Sequence, residues 1–116
     1  MNRVLIVDAS DSDRRLMAGL LTRAGYEPID VGNMEAAKEE VAKLPPGAVI
    51  VADHKLPDGS AKELAIWQKE EGFSFPVCAV VNNHYYINYS ATTSHHLFCL
   101  FVWMLSCLIL QRQGYA

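Results

Sequence analysis

The sequence predicts an α/β domain built on a parallel, doubly wound sheet. Three observations point there. Apolar runs of strand length recur at 4–7, 48–52 and 77–81, and they are continuous rather than alternating, as in strands buried on both faces. The segments between them carry apolar residues at helical spacing, opened by side chains that can cap and closed by Gly or Pro. The resulting order is βαβαβαβ, and parallel strands joined by right-handed crossovers place helices on both faces of the sheet.

The first strand, 4–7, runs into Asp8. Ser10, Asp11 and Ser12 offer N-cap side chains for a helix reaching Ala24, with Leu16, Leu20 and Ala24 along one face and Gly25 as its stop. Residues 26–31 form a weaker strand whose Pro28 suits an edge position. Asn33 can cap a second helix carrying Ala37, Val41 and Leu44, stopped by Pro45-Pro46-Gly47. Strand 48–52 ends at Asp53, and Pro57-Asp58-Gly59 makes a turn. Ser60-Ala61-Lys62-Glu63 has capping-box spacing and opens a third helix that ends near Gly72, before the strand 77–81.

The 116 residues fit one domain, with a core large enough to need no disulfide or structural metal. A net charge of -3 excludes the basic field of a nucleic-acid binder. Cys78, Cys99 and Cys107 show no CxxC spacing and read as buried thiols of a reducing compartment. Asp8 interrupts the first apolar run, so no signal peptide is expected and the cytoplasm is the expected location. Charge is unevenly placed: all 13 acids lie at or before Glu71, and Arg112 is the only charged residue after it.

Ligands of such sheets bind outside the carboxyl ends of the strands. In the strand order 2-1-3-4-5 the first and third strands are neighbours, so Asp8 and Asp53 face one crevice. Two carboxylates there are costly unless a cation neutralises them.

The segments VLIVDASDSDRR, GYEPIDVGNMEAAKEEV, PPGAVIVADHKLPDGSAKEL and FPVCAVV resemble the receiver domains of bacterial two-component response regulators over residues 1–83. The resemblance implies a flavodoxin-like fold and a function in phosphorelay signalling. A phosphoryl group would pass from the phosphohistidine of a sensor histidine kinase or phosphotransfer protein onto Asp53. Magnesium would be held by Asp8, Asp53 and the backbone carbonyl of Lys55. A separate output protein would read the result; neither nucleic acid nor membrane is an expected partner, and the chain is not expected to be an enzyme. A phosphatase using the same strand-end aspartate wants a second acid two residues later, where Lys55 stands.

Three positions depart from the family pattern. Ala9 replaces a second acid, Val81 replaces the hydroxyl residue that senses the phosphoryl group, and no lysine follows Lys69. Weak magnesium binding is therefore expected, and a second reading stays open: a pseudo-receiver, a protein-binding module that does not switch on phosphorylation. The remaining histidines and tyrosines suggest no site. His54 follows the acceptor at a variable surface position, His84, His95 and His96 lack a ligand pattern, and Tyr85, Tyr86 and Tyr89 have no basic neighbours. The tail 84–116 does not resemble the family. Its apolar run 97–110 would span about 21 Å as a helix, short of a bilayer core of roughly 30 Å. A reading-frame change, a divergent completion with a fifth strand inside 97–105, and a membrane or partner anchor are all open.

Overall fold

The structure, a computed structural model, describes residues 3–81 and 84–87. The readings of 88–116, including strand or anchor at 97–110, His95, His96, Cys99 and Cys107, lie outside the described residues.

The described residues form, in chain order, seven strands and three helices: β1 (Arg3–Val7), α1 (Asp11–Arg23), β2 (Glu27–Val31), α2 (Met34–Val41), β3 (Val49–Asp53), β4 (Lys55–Leu56), β5 (Gly59–Ser60), α3 (Ala61–Glu70), β6 (Val77–Val81) and β7 (His84–Ile87). The main sheet has the order β2-β1-β3-β6-β7. Its first four strands are parallel, the expected doubly wound arrangement, and β2 with Pro28 lies at the edge. The fifth place lies past residue 83, where the sequence is expected to diverge from the receiver pattern. The strand β7 follows β6 directly and pairs with it antiparallel, Val81 opposite His84 and Cys78 opposite Ile87. A connection this short leaves no length for a crossover helix, so only an antiparallel partner is possible. Sheet pairing thus runs to Ile87, four residues beyond the stretch that resembles receivers.

Side-chain alternation along the buried strands builds two cores. Leu5, Val7, Ile50 and Ala52 face α2 and α3, meeting Ala37, Val41, Leu64 and Ala65. Val4, Ile6, Val49 and Val51 face α1, meeting Met17 and Leu21. The buried stripe of α1 is therefore Met17 and Leu21; Leu16 and Leu20 flank it half-buried, so the expected face is rotated by one residue. Cys78 is fully buried in this second core. Among the described residues no helix is long and apolar enough to cross a membrane.

The caps are as the sequence predicts. Ser10 accepts from the Asp13 N–H (3.3 Å), Asn33 from Ala36 (2.8 Å) and Ser60 from Glu63 (3.1 Å). The helix ends at Gly25 and Gly72 use positive φ, 95° and 89°, a region that a side chain would oppose. Trp67 packs half-buried on the first core, with the Lys38 ammonium 5.3 Å from its ring centroid.

Candidate functional site

Asp8 and Asp53 stand at the carboxyl ends of adjacent strands. Because β1 pairs with β3 in parallel, Val7 lies opposite Ala52, and the next residue on each strand is the aspartate. Both leave the apolar interior at the same level.

Asp8 is held from three sides. Its N–H donates to the Val31 carbonyl (3.1 Å), its carbonyl accepts from Arg14 Nη1 (2.6 Å), and its Oδ1 accepts from the Ser10 N–H (2.9 Å). Burial pushes its carboxyl up from 3.8 to about 6, the charges of Asp53 and Asp13 add to that, and the Ser10 N–H and the Arg14 guanidinium oppose it. Burial also raises Asp53; hydrogen bonds from the backbone of His54 and Lys55 work the other way, as does the imidazole of His54, while Asp13 adds to the rise. Asp13, at the start of α1, thus bears on both strand-end carboxylates. The sequence places Asp13 at a helix N-terminus that favours acids anyway; its electrostatic reach into the crevice depends on how α1 docks.

The chain after Asp53 turns through a two-stranded ribbon, with Lys55 paired to Ser60 and Leu56 to Gly59. Leu56 is buried in the first core, whereas His54 and Lys55 are exposed. Asp58, read from sequence only as part of a turn, does more. Its carboxylate accepts from the N–H groups of Met34 (2.7 Å) and Glu35 (2.9 Å) at the start of α2, and these bonds hold its carboxyl below its ordinary value. Gly59 lies against the flexible end of the Met34 side chain, where an added Cβ would fall 2.6 Å from Met34 Sδ. The ribbon beside Asp53 is therefore tied to α2, and sequence spacing could not show a partner 24 residues away.

The third expected element of the site, the end of β6, is also adjacent. Asp53 lies opposite Val80, one residue before Val81. Ala9 is exposed and brings no polar group to the crevice. Among the described residues no group of three or more His, Cys, Asp or Glu forms a metal cluster.

No protein-family model matches the sequence, and no curated protein matches it. Solved structures do. The chain is similar to FixJ-N (25% identity, TM-score 0.63), with 68% of this chain and 62% of that one covered. It is similar to the chemotaxis response regulator CheY4 of Vibrio cholerae (28% identity, TM-score 0.58), with 68% and 67% covered. It is similar to the response regulator TrrA of Thermotoga maritima solved with Mg2+-BeF (25% identity, TM-score 0.60), with 66% of each chain covered. TrrA in complex with the histidine kinase ThkA shares the fold at 22% identity, TM-score 0.64, with 81% and 78% covered. The match spans 62% to 67% of the length of the first two structures.

Proposed function

We propose that this chain, whose described residues have the fold of response regulator receiver domains, is the phosphoryl-accepting module of a two-component relay, with Asp53 as the acceptor. The observation that carries the reading is the juxtaposition of Asp53 and Asp8 at the ends of neighbouring parallel strands, where ligands of such sheets bind.

Asp53 would attack the phosphorus of a kinase phosphohistidine. A P–O bond to the carboxylate forms, the P–N bond breaks, and the imidazole keeps the electron pair and gains a proton. The carboxylate is consumed in the step, so the domain is a substrate of the relay rather than an enzyme with turnover. The half-burial that raises Asp53 also removes water from the attacking oxygen, while the backbone of His54 and Lys55 holds it in place.

The donor set suits magnesium, which takes hard oxygen ligands and keeps several waters. Asp8, Asp53 and the Lys55 carbonyl would hold it. Burial disfavours charge on both carboxylates, Asp53 adds to this at Asp8, and a cation would relieve it. When bound, the ion offsets charge on the transferring phosphoryl group. The kinase and the output protein are separate partners, and the location we assign is the cytoplasm, where ATP feeds such kinases.

A second reading has its own observation. The sheet past β6 turns antiparallel, Val81 brings no hydroxyl, and no lysine follows Lys69. A domain of this kind accepts a phosphoryl group without passing the change on, or binds a partner without it. Acetyl phosphate with magnesium, followed by intact-mass and peptide mass spectrometry, tests the acceptor. The expected result is one phosphoryl group on the peptide containing Asp53, and none in Asp53→Asn. Equal labelling of the variant, or none of the native protein, would overturn the assignment.

A further inference from the structure

We propose that Arg14 is a positioning residue whose guanidinium fixes Asp8 in the geometry that a cation would use. The inference rests on the reading of Asp8 as a cation ligand given above. Arg14 is mostly buried, its side chain 16% exposed, although it sits on the first turns of α1. Its planar fork meets three elements at once. Nη1 donates to the Asp8 carbonyl (2.6 Å) at the end of β1, Nη2 to Asp11 Oδ1 (2.6 Å) at the start of α1, and Nε to Asp30 Oδ2 (3.1 Å) on β2.

The bond to the Asp8 carbonyl is what separates this from a surface staple. Exposed ion pairs contribute little, and a guanidinium serving only as one would satisfy carboxylates alone. Here one Nη is given to a neutral carbonyl, that of the residue whose side chain faces Asp53. With the Asp8 N–H bound to Val31 and its carbonyl to Arg14, the backbone of residue 8 is fixed on both sides, so the direction of its Cα–Cβ bond is fixed as well. Oδ1 then receives the Ser10 N–H. Gly32 keeps the place open, because a Cβ there would lie 3.1 Å from Arg14 Nη1. Lysine cannot copy this arrangement: a single ammonium lacks the rigid fork that reaches three acceptors in one plane.

The test uses the full chain and two readouts, one without metal. Amide hydrogen exchange of the Ser10 N–H reports whether the Asp8 carboxylate is held. In Arg14→Met, protection of Ser10 should fall about tenfold or more, as expected for losing a hydrogen bond to a charged group, while amides in the middle of β1 and β3 keep theirs. Arg14→Lys should restore part of it. Asp30→Asn removes an ion pair but leaves the carbonyl bond, so it should keep Ser10 protected. Magnesium titration should then show affinity lower by roughly 10- to 100-fold in Arg14→Met, the range for groups that orient metal ligands. If Arg14→Met does not fold, Gly32→Ala, which crowds the guanidinium, should lower Ser10 protection in the same direction. Unchanged Ser10 protection in the folded variant, or an equal loss in Asp30→Asn, would overturn the proposal. Lost Ser10 protection with no magnesium response even in the native protein would leave the positioning role standing and sink the magnesium reading instead.

Discussion

The two halves of the site edge are built differently. On the β1–β3 side, both aspartates emerge from buried parallel strands, and hydrogen bonds from Ser10, Arg14, His54 and Lys55 surround them. Asp58 then ties the adjoining ribbon to α2. On the β6–β7 side, β6 is anchored at its beginning, where the buried Gln68 amide exchanges two hydrogen bonds with Phe75 (3.0 and 3.1 Å). Past its end the chain reverses into an antiparallel partner. Accepting a group and reporting its arrival are thus separable. A bound group shifts a two-state equilibrium only through contacts that differ between the states, and the contacts named here cluster on the accepting side.

The largest expected effect strikes the anchored start of β6. Gln68→Ala leaves the Phe75 N–H and carbonyl without their partner in a site where Gln68 is 1% exposed. A loss of about 3 kcal/mol is expected, from two unpaired, partly buried backbone groups and a small cavity at Gln68. Urea unfolding reads it, and a loss under about 1 kcal/mol would show that β6 needs no such anchor.

Next comes Asp8, where the sign is informative. Its folded value near 6 lies above the ordinary 3.8, so the folded state binds the proton more tightly than the unfolded state does. Native stability without metal should therefore fall as pH rises from about 4 to about 6. Asp8→Asn should be more stable than the native protein at pH 7 by about 2 kcal/mol, after discounting the shift for solvent screening, and equal to it below pH 4. Thermal melts at the two pH values decide, and no gain at pH 7 would show that burial does not disfavour the charged Asp8 carboxylate.

Ala9→Asp sharpens the comparison from the accepting side. One more anionic ligand should tighten magnesium binding about tenfold. Unchanged affinity would mean that Asp13 or water already serves there.

The smallest effect belongs to Asp58. Its folded value is lowered, so the stability it supplies is present above its ordinary value and lost as pH falls through the lowered one. Asp58→Ala should modestly lower stability at pH 7, with the difference from native vanishing in strong acid. Hydrogen exchange at Met34 and Glu35 should speed up, and unchanged exchange would separate the ribbon from α2.

What was legible in sequence follows the range of the interactions involved. Asp8 and Asp53 could be placed because continuous apolar runs end at them, and the caps Ser10, Asn33 and Ser60 act within three residues. The sequence favours Leu16 and Leu20 for the α1 stripe because they outrank Met17 in apolar character, while docking on β1 and β3 selects Met17 and Leu21. The clamp of Asp58 on α2 and the Arg14 fork reach 24 and 16 residues along the chain, and no local pattern encodes them. The strand β7 reads HYYI, without the apolar run that marks β1, β3 and β6, and its pairing comes from proximity to β6.

The most direct test of the division between accepting and reporting is a beryllofluoride titration with magnesium, followed by amide NMR. Shifts should be confined to Asp8, Ser10, the start of α1 and residues 53–60, with β7 unmoved. Shifts spreading through β6 and β7 of a monomer would show that the two sides are coupled and that the domain still switches.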